Sequence, residues 1–229
     1  MRKIDLTVGN RKIVFTVQKM LNLGRTGKDP IEVRKHLEEL KKDGIEASIE
    51  MPSYNPKIKD KITTNGEIEV LPNSKSSGEV EFVFLFNDES DIFVTVGSDH
   101  TDRELAKTNM IFAKNIYPNI ISSEVWRYEE VKDHWDDLIM RSWIKKYGKR
   151  QLYQEGNLAK LLSPKELFKN AKLKIHGDLK GAIVFCGTFP TLGGELCYSS
   201  YFEMELLDEQ RKRSIKHIYN VKPIEWFVI

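Results

Sequence analysis

The sequence predicts a strand-rich α+β fold in which helices are inserted between strands. Three observations predict it. Glu79 to Phe86 (EVEFVFLF) is a near-continuous apolar run, the signature of a strand buried on both faces. A second strand, Asp91 to Val96, follows at once and makes a hairpin closed by Asn87-Asp88-Glu89-Ser90. Three further strand-like runs close the chain: Ala182 to Cys186, Tyr201 to Leu207 and Arg213 to Val221. Strands and helices do not alternate one for one, and no GxGxxG follows a strand, so a Rossmann fold is excluded. The Walker A and GxSxG signatures are absent from the sequence as well.

The other elements follow in order. KIDLTVGNRKIVFTVQ reads as a β-hairpin about Gly9-Asn10. Asp29 to Asp43 reads as a helix: Asp29 caps it, Pro30 sits at its first position, Glu32 completes a capping box and Gly44 stops it. Met51 to Pro72 is rich in Pro, Asn and Lys and is expected to hold irregular loops and a short strand, Glu67 to Leu71. Thr101, with Glu104 three residues on, is expected to cap a helix ending before Pro118. A further helix is expected over Glu124 to Leu138, a hairpin at Tyr147-Gly148, and a capped helix opening at Ser163-Pro164-Lys165-Glu166.

The chain has 229 residues, 40% hydrophobic and 31% charged, enough to bury a core and far from a disordered composition. No window approaches the roughly 18 consecutive apolar residues of a membrane helix. MRKIDLTVGN lacks the apolar region of a signal peptide. A formal net charge of +2 and the lack of a basic aromatic stripe argue against nucleic acid as a partner. Cys186 and Cys197 cannot make a disulfide framework. The expectation is a soluble cytoplasmic protein with no membrane or nucleic-acid partner.

Glu79 and Glu81 are the most informative residues. Two apart on a strand, they project from one face, and five apolar residues follow them. Two adjacent carboxylates beside a buried strand lose hydration, at a cost of several kcal/mol per ion. A hard divalent cation, Mg²⁺, Mn²⁺ or Ca²⁺, offsets that cost. The alternative is a wet strand end that binds nothing. Asp99, at the end of the neighbouring strand, is a candidate third ligand. Glu203 and Glu205 share the spacing, but Phe202, Met204 and Leu206 alternate with them, the pattern of a half-exposed strand with its acids outside.

In order along the chain, Glu79-Val-Glu81, Ser98-Asp99-His100-Thr101-Asp102-Arg103, Lys114 and Gly187-Thr188-Phe189-Pro190 resemble motifs of the C-terminal catalytic domain of the fumarylacetoacetate hydrolase family. Leu152-Tyr153-Gln154-Glu155-Gly156-Asn157 is similar to that family's Arg-Gln-x-Gly-Asn-Thr segment, and His36-Leu37-Glu38-Glu39 to a His-x-x-Glu on its N-terminal part. More narrowly, SGEVEFV, VGSDHTDR, LYQEG and FCGT resemble the DUF2848 group. The resemblance covers about Gly78 to Val221. It implies a distorted β-roll of the mixed roll or sandwich kind, a divalent metal, Mg²⁺ or Mn²⁺/Ca²⁺, held by two Glu and an Asp, and a homodimer. The domain reading is 1–77 as an N-terminal hairpin, helix and connecting segment completing the site, and 78–229 as the metal-binding catalytic unit. Three departures fall on substrate-contacting features. The lysine follows Asp99 closely, Ala106 stands where many members have Gln, and Gly-Thr-Phe-Pro carries an inserted residue.

The remaining candidates follow from residue chemistry. His36 and Glu39 are neighbours on one helix face, so Glu39 raises the basicity of a general base; the alternative is an exposed ion pair. Lys114 and Arg103 suit a substrate carboxylate or enolate oxygen. Gly187 permits close backbone approach, and Thr188 offers an amide or hydroxyl to a substrate oxygen. With what the resemblance implies, the expected function is a metal-dependent hydrolase or lyase acting on a small oxo or diketo acid. C–C hydrolysis, decarboxylation and isomerisation share the enolate chemistry. A non-catalytic metal-containing small-acid binding protein is the alternative.

Overall fold

The computed structural model describes residues 2–29, 50–88 and 90–227. The chain opens with the expected hairpin of β1 (Arg2–Val8) and β2 (Arg11–Val17), turning at Gly9 with φ +56°. β3 (Lys19–Gly24) pairs with β4 (Ser53–Lys57), a strand not expected within the Pro- and Lys-rich stretch. Three short strands follow: β5 (Ile62–Thr63), β6 (Glu67–Val70) and β7 (Ser76–Ser77). β8 (Val80–Phe86) and β9 (Ile92–Ser98) form the hairpin anticipated from the apolar run, and every residue of β8 is buried. Then come β10 (Thr101–Asp102), β11 (Asn119–Ile121), β12 (Glu124–Arg127), β13 (Ile139–Lys146) and β14 (Lys149–Asn157). β15 (Ala182–Phe185), β16 (Tyr201–Asp208) and β17 (Arg213–Pro223) are the three closing strands.

Ten strands make the larger sheet, in the order β2-β1-β12-β9-β8-β15-β3-β4, with β11 joining β9 to β5. The second sheet runs β14-β13-β16-β17-β6, and β10 pairs with β7. β8 separates two cores, which explains the unbroken apolar run Phe82 to Phe86. Phe82, Phe84 and Phe86 pack with Trp135, Met140, Met204 and Tyr219. Val83 and Leu85 face the other way, onto Ile4, Leu6, Phe15 and Phe185. Thus the larger sheet curls until the N-terminal hairpin covers its own inner face. The helix Pro164–Lys174 has the expected cap: Ser163 accepts from the Glu166 N–H, and the Glu166 carboxylate accepts in return.

Two helix expectations are corrected. Residues 124–138 form β12 and two 3₁₀ turns, Tyr128–Glu130 and Lys132–Asp137. Val125 and Trp126 fill opposite cores, which a strand allows and a helix face does not. Thr101 is spent on β10, opposite Ser77, so the cap passes to Asp102, whose carboxylate accepts from the Leu105 N–H of helix Arg103–Ala106. A second helix, Met110–Ile116, is capped by Asn109. The helix expected over 29–43 lies, beyond Asp29, outside the described residues. Among the described residues no helix is long and apolar enough to cross a membrane.

Candidate metal centre

The β8–β9 register sets Glu81 opposite Gly97 and Val80 opposite Ser98, so the start of β8 lies beside the end of β9. The Asp99 N–H donates to the Glu79 carbonyl at 3.1 Å and continues that pairing one step further. On the odd-numbered face of β8, Val83 and Leu85 enter a core, and Glu79 and Glu81 stand in the two positions before them. Oxygens of Glu79, Glu81 and Asp99 lie within 4.8 Å of one another. Asp99 is wholly buried, Glu81 is 3% exposed and Glu79 opens partly to solvent.

Cations surround the three acids. The Lys114 ammonium contacts the Asp99 carboxylate and lies 3.5 Å from Glu79 Oε2. Arg103 donates from Nη1 to Glu79 Oε1 at 3.1 Å and from Nε to Ser77 Oγ at 2.8 Å. Lys57, buried at the end of β4, donates to the carbonyls of Lys114 and, at 2.9 Å, Tyr117. The Gly187 N–H donates to Glu81 Oε2 at 2.7 Å. Gly187 holds φ +93°, and a Cβ there would sit 2.0 Å from Thr26 Oγ1, so only glycine brings this N–H so close.

The acids differ in ionisation. Burial pushes Glu79 and Asp99 up, but Arg103 and Lys114 hold Glu79 below the usual carboxylate range, and Lys114 and Lys57 do the same for Asp99. Glu81 is raised well above that range by burial and by the Asp99 charge. Lys114 is raised, because Asp99, Glu79 and Glu81 outweigh its burial. Lys57 is lowered to about 8, by burial first. A third negative charge is therefore resisted as the chain stands. Three hard oxygen donors, one of them reluctant to ionise without another cation, fit a divalent ion. Asp99 Oδ1 supports the fit: it is buried and accepts no hydrogen bond.

Of the residues singled out from sequence, the structure gathers Glu79, Glu81, Asp99, Arg103, Lys114 and Gly187. Thr188 follows Gly187, and its hydroxyl accepts from Gln154 Nε2 at 2.8 Å. His36 and Glu39 lie outside the described residues. Lys57, Asn22 and Gln154 were not singled out. Gln154 stood within the quoted LYQEG string, but nothing in the sequence marks a buried lysine. His100, also buried here, is lowered to about 3 by burial, Arg103 and Lys57, and its Nδ1 meets the Tyr219 hydroxyl at 3.0 Å.

The second glutamate pair is structural, but not for the expected reason. Glu203 and Glu205 are buried, at 8% and 6% exposure, rather than turned out to water. β16 lies between β13 and β17, and long cations cover its outer face. Arg150 grips Glu203 with two bonds, 2.7 and 2.8 Å, and Lys216 reaches Glu205 at 3.2 Å.

The family model described as "Protein of unknown function (DUF2848)" matches residues 23–219. The chain matches no curated protein. Among solved structures it is similar to Cg1458, with TM-score 0.68 and 17% identity over 92% of this chain and 77% of that one. A 2-keto-3-deoxyarabinonate dehydratase gives TM-score 0.68 and 15% identity over 96% and 79% of the two chains. A fumarylpyruvate hydrolase from Pseudomonas aeruginosa, in complex with Mn²⁺ and pyruvate, gives 0.66 and 16% over 97% of both. At these identities the likeness establishes the fold alone.

Proposed function

The chain belongs to the DUF2848 family, and from its fold and carboxylate cluster we propose that it is a divalent-metal-dependent hydrolase or lyase acting on a small oxo or diketo acid. The observation that carries this reading is the convergence of Glu79, Glu81 and Asp99 within 4.8 Å at the mouth of an apolar strand. Support comes from two neighbours of the same fold, described in complexes with Mn²⁺ and pyruvate and with magnesium and 2,5-dioxopentanoate. In this reading Glu79, Glu81 and Asp99 hold Mg²⁺ or Mn²⁺/Ca²⁺ through oxygen. Such an ion polarises a keto or enol oxygen and stabilises enolate charge.

The chain's own groups do the rest. Lys114, kept charged by the acids around it, offers its ammonium to a substrate carboxylate or enolate oxygen. Arg103 spends Nε and one Nη2 donor on Ser77 and one Nη1 donor on Glu79, orienting Glu79, and keeps one N–H on each of Nη1 and Nη2 for a substrate carboxylate. Thr188 Oγ1 accepts from Gln154 and makes only a long 3.5 Å bond to the Phe189 carbonyl, so its hydroxyl can turn to a substrate oxygen in that bond's place. His36, oriented by Glu39, is the proposed group that activates water or moves the proton. C–C hydrolysis, decarboxylation and isomerisation are all compatible with this set.

The test pairs binding with turnover. Mn²⁺ or Mg²⁺ should raise the melting temperature by mass action, because only the folded chain gathers the ligands. Glu81→Ala should lose the shift and Glu203→Ala should keep it; a shift kept or lost by both refutes the ligand assignment. Turnover is followed by loss of enol absorbance on a panel of acylpyruvates and oxaloacetate. Metal binding without turnover on the whole panel would identify a small-acid binding protein instead.

A further inference from the structure

Two buried asparagines stand close to Asp99. Asn22 lies on β3 and is 1% exposed; Asn119 opens β11 and is fully buried. Ile120 pairs with Ser98, so the antiparallel register brings Asn119 alongside Asp99. The Asn119 Nδ2 donates to Asn22 Oδ1 at 3.2 Å. That bond turns the Asn22 Nδ2 away from Asn119. The Asn22 amide lies against the Asp99 carboxylate and favours its ionised form. Yet neither Asn22 Nδ2 nor Asp99 Oδ1 makes a well-aligned hydrogen bond, and Asn119 Oδ1 also accepts none. Buried polar groups are rarely left so, and three of them in one cluster need a reason. Burying an amide beside an apolar core also costs stability unless it is hydrogen-bonded.

We infer that Asn119 and Asn22 form a directed relay, Asn119 to Asn22 to Asp99, that positions the Asp99 carboxylate for the divalent ion. The inference rests on the metal reading above. Neither asparagine is a ligand. Asn119 fixes which way the Asn22 amide points, leaving the Asn22 Nδ2 turned to the Asp99 side with no bond of its own. With Lys114 on Oδ2 and a fixed amide beside Oδ1, the Asp99 carboxylate has little rotation left. Such outer partners set metal affinity as strongly as some ligands do, because they remove the freedom that a ligand otherwise loses on binding.

The probe is Mn²⁺ alone, its dissociation constant measured by calorimetry on the full chain, with melting temperatures in chelator reading the fold separately. Asn22→Leu should weaken Mn²⁺ by ~10–100-fold, the range typical of lost outer-shell partners. Asn119→Leu should weaken it less. The double variant should be no weaker than Asn22→Leu, because Asn119 acts only through Asn22. A merely structural pair would lower the chelated melting temperature and leave the dissociation constant and its non-additivity untouched. If Asn22→Leu fails to fold, Asn119→Ala carries the test, with weaker Mn²⁺ binding at an unchanged chelated melting temperature. Unchanged affinity in the variants, or losses that simply add, overturns the relay while leaving the metal site standing. A wild-type chain that binds no Mn²⁺ overturns the metal reading itself.

Discussion

Gln154→Leu tests how the turn bearing Gly187 and Thr188 is held. Gln154 is 2% exposed and its amide is fully used. Oε1 accepts from the Val80 N–H at 3.1 Å and from the Ser142 hydroxyl at 3.0 Å. Nε2 donates to Thr188 Oγ1 at 2.8 Å and to the Phe189 carbonyl at 2.7 Å. One side chain on β14 thus ties together the start of β8, strand β13 and the turn after β15. Leucine keeps much of the volume and removes all four bonds. The two hydroxyls can rotate toward other partners, but the Val80 N–H cannot, and the Phe189 carbonyl keeps only the long 3.5 Å bond from Thr188 Oγ1. Each buried group left unmade costs ~1–3 kcal/mol, against which the apolar gain of a leucine is about 1–2 kcal/mol. A net loss of about 3 kcal/mol, at ~2–4 °C per kcal/mol for a chain of this size, lowers the melting temperature by ~6–12 °C. Circular dichroism in chelator measures it, with Gln151→Leu, exposed on the same strand, as control. A loss no larger than the control's would refute the claim that Gln154 holds the turn.

The other expected outcomes concern the site's charge and its glycine. Glu81 is raised in the folded state, so the folded chain keeps a proton that the unfolded chain releases, and stability falls as pH rises from the ordinary carboxylate range toward the raised value. Glu81→Gln removes that slope: in chelator it should melt above wild type at pH 8, with the gap closing toward pH 4, and a constant gap would contradict the assignment. Gly187→Ala must move either Thr26 or the turn, since its Cβ would sit 2.0 Å from Thr26 Oγ1. It should lower both melting temperature and Mn²⁺ affinity. Gly177→Ala, also at positive φ but with open space around its Cβ, should cost only the backbone strain, ~1 kcal/mol. Equal losses in the two variants would rule out the steric argument.

Much of the fold was legible where one physical signal dominated. The apolar run of β8 announced a strand between two cores, and the Ser163 capping box announced its helix. Residues 124–138 misled because Tyr128, Val131, Trp135 and Leu138 fall at helical spacing, while the adjacent pair Val125 and Trp126 in fact divides between the two cores. The carboxylate cluster was legible because ionised groups beside so apolar a strand demand compensation. The polar layer around it was not. Asn22 sits in Met-Leu-Asn-Leu-Gly, where one amide among apolar residues reads as an edge position, and Lys57 reads as one more surface lysine in a chain with 36 Lys and Arg residues. Their burial is decided by strands that meet only in three dimensions. The outer face of β16 was misjudged for a related reason: Arg150 and Lys216 lay their stems over Glu203 and Glu205, and alternation alone does not reveal such a cover.

The strand order also bears on how the chain is made. β8 finds β9 within a few residues, but its other neighbour is β15, and Phe86 pairs with Ala182. β3, in turn, waits for β15 to take its place between them. At ~5–20 residues per second, a ribosome takes on the order of 5–20 s to travel from the end of β8 to β15. Throughout that interval a strand with five consecutive apolar residues, Phe82 to Phe86, offers an open edge, the kind of template on which nascent chains pair with one another. The burden of solubility during synthesis therefore falls on whatever shields residues 80–86, and truncation before residue 182 should yield aggregates rather than a smaller folded unit.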